Sequence, residues 1–147
     1  GCGGRGCLET YCAEKGIIRT AKKLLAESDQ PSLMSNYENL TPKDITACCE
    51  QGDELAIETY CITGKLLGLG MANYASVVNP EAIIFTGGIS KAGHWLFDPA
   101  REAFEENVFH NLRGKVKFLS STLTDTERSI LGASALAWEV QEYSLFK

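Results

Sequence analysis

Between Asp53 and Asn79 the chain carries one long helical pattern, and this stretch constrains the fold more than any other. Asp53 is a residue type that caps helix starts. Asn79-Pro80 stops the pattern, because proline offers no N–H and disfavours helical backbone in the residue before it. Leu55, Ile57, Tyr60, Cys61, Leu66, Leu67, Leu69 and Met71 cover more than one face of the helix. A helix apolar on several sides has to be buried on several sides. Gly64, Gly68, Gly70, Ala72 and Ala75 also lie along it. Such residues weaken an isolated helix, and they make sense where a second backbone approaches closely.

The flanking segments give the order of the other elements. Helix signals begin at Leu8, are interrupted at Gly16, and resume with Ile17, Ile18, Ala21, Leu24 and Leu25 as far as about Glu27. Pro31, Ser32, Ser35, Asn36 and Asn39 make 28–40 a loop. Thr41-Pro42-Lys43-Asp44 opens a helix that ends at Gly52. Thr41 caps it, Pro42 suits the first helical position, and Asp44 sits beside the positive end of the helix dipole. Ala82–Thr86 reads as a short buried parallel strand closed by Gly87-Gly88. A helix over Ser90 to about Phe109, with a break expected at Asp98-Pro99, leads to a second strand at Val116–Ser120. A last helix runs from Thr124 through Val140, with Ile130, Leu131, Ala133, Ala135, Leu136 and Trp138 on its apolar surface. The expected class is therefore α/β: helices followed by a short parallel β-α-β unit, joined by a right-handed crossover. Two parallel strands make a poor sheet, so the first strand is expected to keep an unpaired edge.

Composition excludes several classes. The 147 residues suit one domain, and 44% apolar with 22% charged residues is ordinary for a globular protein. A net charge of −5 argues against a general nucleic-acid binder, which needs a basic face. No apolar run approaches the ~20 residues that span a bilayer, and no signal peptide is expected from the opening residues. A cytoplasmic protein is expected, with Cys12, Cys48, Cys49 and Cys61 as reduced, small hydrophobes. The opening Gly1-Cys2, with no initiator Met, suggests a piece of a longer chain that begins inside a motif.

Three local features carry chemistry. Cys2 and Cys7 stand in a glycine-rich loop, CGGRGC, where two thiols can wrap round one metal ion; zinc prefers thiolate and imidazole and takes four ligands in a structural site. Gly87-Gly88 ends a buried strand. The pair serves either a tight turn needing positive φ or a ligand lying against bare backbone at the carboxyl end of a parallel strand. Glu9 begins a helix, where an acid is stabilised by the dipole, or it is a carboxylate accepting hydrogen bonds from a polyol.

Taken in order, CGGRGCLE, YC, the small-residue helix, PEAIIFTGGIS and LGASALAWE resemble the ROK family of sugar kinases and repressors across essentially the whole chain. The resemblance implies the helix-rich C-terminal part of an actin-like ATPase (ribonuclease H-like) domain. Residues 1–9 would be a partial zinc motif, 53–79 the long buried helix, and 82–140 a strand–helix–strand–helix unit on the nucleotide side. The family's zinc motif reads C-x-C-G-x-x-G-C-x-E. It matches Cys2 and Cys7 as zinc ligands and Glu9 as a carboxylate that binds sugar hydroxyls, while its first cysteine and its histidine would fall before Gly1. With two ligands only, the piece is expected to hold zinc poorly. IIFTGGIS matches the superfamily's adenosine motif, which implies that Gly87 and Gly88 lie against the nucleoside.

By the same resemblance the activity is ATP-dependent phosphorylation of a hexose, glucose first, with Mg²⁺ shielding the phosphates and a homo-oligomer as the assembly. LGASALAWE and GCLETYC lean towards the glucokinase branch. The family's phosphate loops and catalytic aspartate have no match here, so the chain alone is expected to be inactive. Asp29, Asp44, Asp53, Asp98 and Asp125 are explained by helix ends and loops, and His94 and His110 by surface or core roles. Two alternatives stand beside the kinase: a sugar-responsive ROK repressor, whose added helix-turn-helix would bind DNA, and a ligand-free interaction domain, whose melting temperature ATP would not move.

Overall fold

The computed structural model describes residues 3–144, without the side chains of Asp125 and of residues 139–144. Helices α1 (Leu8–Cys12), α2 (Glu14–Glu27), α3 (Pro42–Glu50) and α4 (Glu54–Val78) precede strand β1 (Ala82–Phe85), helix α5 (His94–Asn107), strand β2 (Lys117–Ser120) and helix α6 (Asp125–Ser144). The strands pair in parallel, Ala82 with Lys117 through Phe85 with Ser120.

Helix α4 is the spine. Asp53 caps it, its Oδ1 accepting from Ala56 N at 3.0 Å. The other carboxylate oxygen accepts from Ser32 Oγ at 2.7 Å and Leu33 N at 2.6 Å, which pins the 28–40 loop to the helix start. One core gathers Ile17, Ala21, Ile45, Cys48, Cys49, Ala56 and Tyr60, all at or below 1% exposure, around the first half of α4. Tyr60 is fully buried, and its hydroxyl donates to Pro42 O at 2.8 Å. A second core joins Met71, Ala72 and Ala75 to Ala100 and Phe104 of α5 and to the sheet.

The glycines of α4 explain how close α5 lies. A Cβ on Gly64 would stand 2.7 Å from Leu96 O and 2.7 Å from Pro99 Cγ. A Cβ on Gly68 would strike Ala100 O and come 2.9 Å from the Ala103 Cβ. The spacing of these two glycines puts both on one helix face, so the bare backbone of α4 receives the backbone of α5.

Four sequence expectations shift. The first helical segment breaks at Ala13 (φ −84°, ψ 172°) and not at Gly16. Gly16 is buried inside α2, because a side chain there would overlap the Thr10 and Tyr11 carbonyls. Pro99 does not break α5; its ring sits over Gly64, and the interruption falls earlier, at Gly93 (φ 58°, ψ −134°), after a 3-10 turn over Ile89–Ala92. The loop 28–40 holds a 3-10 turn, Leu33–Asn36. Among the described residues nothing covers the apolar side chains expected to be buried on α6: Ile130, Leu131, Leu136 and Trp138 are 52–72% exposed.

Among the described residues the sheet is covered on one face only. Ile83, Phe85 and Phe118 pack on the second core, with the Phe104 and Phe118 rings 5.1 Å apart. Ile84 and Leu119, paired across the strands, are 63% and 45% exposed. Among the described residues β1 pairs with β2 and with no other strand, so both outer edges are open.

Candidate functional site

In-register parallel pairing brings the two strand exits together. Ser121 N donates to Phe85 O at 2.8 Å, so the chain leaving β2 runs beside the chain leaving β1. Gly87 then turns with φ +95°, a value that disfavours any side chain, and Ser90 Oγ pins the turn by donating to Gly87 O at 2.7 Å. Gly88 differs. Its φ −62° and ψ −38° are ordinary helical values, and no described residue lies within 4 Å of where a Cβ would sit. Neither backbone strain nor internal packing requires a glycine at that position.

Two cavities meet at this turn. The first, about 350 Å³, is lined by Thr86, Gly87, Ser90 and Lys91 after β1, by Ser121, Thr122, Leu123 and Thr124 after β2, and by Arg128. Arg128 Nη1 donates to Thr86 Oγ1 at 2.9 Å, tying α6 to β1. Thr124 and Glu127 form a reciprocal cap at the start of α6: Thr124 N and Oγ1 donate to the Glu127 carboxylate at 2.9 and 2.7 Å. The bond from Thr124 N, with that from its hydroxyl, holds the Glu127 carboxyl below its ordinary pKa. The second cavity, about 500 Å³, shares Lys91 and adds Gly88, Tyr60 and the α3 residues Pro42, Lys43, Thr46, Ala47 and Glu50.

A third cavity, about 480 Å³, surrounds Asp53. Burial raises the Asp53 pKa, but the hydrogen bonds from Ser32, Ala56, Leu33 and Met34 outweigh it and hold the carboxyl below its ordinary value. Those bonds serve the helix cap and the loop, so this carboxylate is structural.

The other residues singled out in the sequence lie elsewhere. Glu9 is exposed in the first turn of α1, and among the described residues its carboxylate makes no hydrogen bond to the Gly87-Gly88 turn. Cys7 occupies the N-cap position of α1, half-buried; Gly3 (φ +80°) and Gly6 (φ +75°) turn the loop before it. Cys2 lies outside the described residues. Among those residues no group of three or more His, Cys, Asp or Glu side chains could hold a metal ion. The described part of the loop thus supplies a single thiol towards a four-ligand zinc site. Cys48 and Cys49 are buried and Cys12 is half-buried; burial pushes the thiol of Cys12 up to about 11 and that of Cys49 up to about 12, as suits packing residues.

Sequence reasoning singled out the glycine pair but not Lys91, Arg128 and the Ser121–Thr124 loop, which line the cavity beside it. The signal was present: two parallel strands in register must place whatever follows each of them side by side.

The cleft at the carboxyl ends of parallel strands, on a helix-rich actin-like ATPase fold, defines the class. The chain belongs to the ROK family, whose model matches residues 1–140. A glucokinase from Halalkalibacterium halodurans is 32% identical over 99% of this chain and 44% of its own length. A xylose repressor from Caldicellulosiruptor bescii is 26% identical over 92% of this chain and 34% of its own. A solved ROK glucokinase from Streptomyces griseus, in complex with glucose and AMPPNP, superposes with a TM-score of 0.72 at 27% identity, covering 81% of this chain and 40% of that one. The chain thus spans less than half the length of the curated relatives it matches. Among the described residues no helix is long and apolar enough to cross a membrane.

Proposed function

We propose that this chain forms the nucleoside-side wall of an ATP-dependent hexose kinase, with glucose the first substrate to try. The observation that carries it is Gly88. It is a glycine in a conformation that any residue adopts, facing open space, between two cavities at the ends of two parallel strands. A missing side chain whose space no described residue fills is explained by a ligand that must come close to the backbone.

The roles follow from the chemistry of each residue. Gly87 and Gly88 admit the adenosine part of ATP. Glu9, exposed on α1, supplies a carboxylate for sugar hydroxyls in the complete protein. Cys2 and Cys7 supply two thiolates of a structural zinc site completed by residues outside this chain, and Mg²⁺ enters with ATP. Transfer itself depends on positioning and on neutralising the phosphates. The general base and the phosphate loops belong to the rest of the protein, which we take to be a cytoplasmic homo-oligomer. The test is hexose-dependent ADP formation. The complete protein should turn over with glucose and ATP, and this chain alone should not; turnover by the 147-residue chain alone overturns the division of labour.

A sugar-responsive repressor is the second reading, favoured by the repressor relatives that match almost the whole chain. Sugar-dependent release of the complete protein from operator DNA, without ADP formation, selects it.

A further inference from the structure

Resting on the reading of Glu9 as a carboxylate for sugar hydroxyls, we propose that Arg19 and Gly70 are positioning residues for it. They fix α1, the helix that carries Glu9, against α2 and α4.

Helix α1 has only five residues, Leu8–Cys12. Isolated helices below about 12 residues are marginal in water, so α1 depends on its neighbours for its place. Among the described residues none on α1 is fully buried, so core packing does not supply that place. Four fitted contacts do. Leu8 sits in a notch of α4: a Cβ on Gly70 would stand 2.8 Å from Leu8 Cδ2 and 3.0 Å from its Cδ1. One turn on, Cys12 Sγ donates to Thr63 O of α4 at 3.7 Å. Leu8 and Cys12 are four residues apart, so one face of α1 lies along α4. On the α2 side, the bare backbone of Gly16 admits the Thr10 and Tyr11 carbonyls, which a side chain there would overlap.

Arg19 of α2 closes the corner. Its Nη2 donates to Thr10 O at 2.8 Å, and its guanidinium stands over the Tyr11 ring, 5.5 Å from the centroid. Thr10 O is among the last carbonyls of α1, which find no partner inside a helix. One side chain therefore caps α1 and grips it.

Two glycines and an arginine are thus fitted to a helix that buries none of its own residues. Such a helix offers a fixed direction for its exposed side chains. Glu9 is the one acid on α1, and it is exposed. Arg19 reaches it through the carbonyl of the next residue, Thr10, and Gly70 through the residue before, Leu8. A carboxylate that accepts from sugar hydroxyls has to be placed closely, since a misplacement of about 1 Å costs about a hundredfold in a reaction that depends on position.

The experiment is calorimetric titration of the complete protein with glucose and with ADP, with a melting curve for each variant. The variants are Glu9→Gln, Arg19→Ala, Arg19→Lys, Gly70→Ala and the double change Arg19→Ala with Glu9→Gln. Wild type should bind glucose, and Glu9→Gln should bind it at least about tenfold more weakly, the scale of one charge-assisted bond. Arg19→Ala should lower glucose affinity about five- to tenfold and leave ADP affinity within about twofold. Arg19→Lys keeps a donor without the planar stack, so it should recover part of the loss. Gly70→Ala should displace Leu8 and weaken glucose binding in the same selective way. Because Arg19 acts through Glu9, Arg19→Ala should cost less than about twofold once Glu9 is already Gln. Losses that multiply in the double variant, that fall equally on glucose and ADP, or that are missing in Arg19→Ala overturn the positioning role and leave Glu9 as a sugar ligand. Glucose binding unchanged in Glu9→Gln, or no glucose binding by wild type, overturns the Glu9 reading and the proposal with it.

Discussion

Replacing Gly88 by alanine should raise stability and weaken nucleotide binding, while replacing Gly87 should lower both. The asymmetry comes from the backbone. Gly88 has φ −62° and ψ −38°, and an added Cβ meets no described residue within 4 Å. Alanine there restricts the unfolded chain without straining the folded one, a gain of about 0.4–1 kcal/mol. For a domain of this size that is a rise of roughly 1–3 °C in melting temperature. Gly87 has φ +95°, where an L-residue costs about 1–2 kcal/mol, so Gly87→Ala should melt several degrees lower. Both methyl groups would stand where the nucleoside is expected. Crowding a fitted contact by one carbon costs about 1–3 kcal/mol, hence a loss of roughly five- to 150-fold in ADP affinity. Thermal melts and calorimetric titration of the two variants give four numbers, and the signs decide. A Gly88→Ala protein that is more stable and binds ADP as wild type does would refute the reasoning, because the open space at Gly88 would then have no ligand to serve.

Other outcomes follow from the same geometry. Gly68→Ala should cost about 1–3 kcal/mol, since its Cβ would strike Ala100 O and push α5 off α4; a chemical denaturation midpoint checks it, and an unchanged midpoint contradicts the close helix contact. Asp53→Ala should cost about 1–3 kcal/mol at neutral pH by removing both the α4 cap and the anchor of the 28–40 loop. Because the folded Asp53 pKa is depressed, its contribution is fully present above the unfolded carboxyl value, near ~4, and is lost as pH falls through the lower folded value. The stability gap between wild type and Asp53→Ala should therefore stay open from pH 7 to about 5 and narrow below ~4, as read from melts at successive pH values. The uncovered residues Ile84, Leu119, Ile130, Leu131, Leu136 and Trp138 should make the isolated chain bind an apolar dye and self-associate; a monomer by light scattering with no dye response contradicts that.

Much of the frame was legible because strong local chemistry set it. The Thr41-Pro42-Asp44 start and the Asp53 cap marked the starts of α3 and α4, while α3 ends at Glu50, short of the expected Gly52. The small residues on α4 announced a close neighbour, and α5 is that neighbour. The miss at Pro99 has a tertiary cause. Proline read alone breaks a helix, but its ring here fills space left by Gly64, a residue 35 positions earlier. At Gly16 propensity misled as well, since that glycine answers to packing against the Thr10 and Tyr11 carbonyls. Ile130, Leu131, Leu136 and Trp138 make α6 read as a buried helix, yet among the described residues nothing covers them; periodicity reports a face that needs a partner and not where the partner is. The glycine pair at the site stood out because glycines are punctuation. Lys91 and Arg128 did not, since a lone cation on a helical turn looks the same whether or not a cavity opens beside it.

The central claim is that a nucleotide lies across the Gly87-Gly88 turn, at the carboxyl ends of β1 and β2. Amide NMR shifts of the 147-residue chain during titration with ADP test it most directly. The account predicts saturable shifts concentrated in residues 86–91 and 121–128, with smaller ones on α3 and none around Glu9. Shifts confined to α1 and α2, or no shift at millimolar ADP, would contradict it.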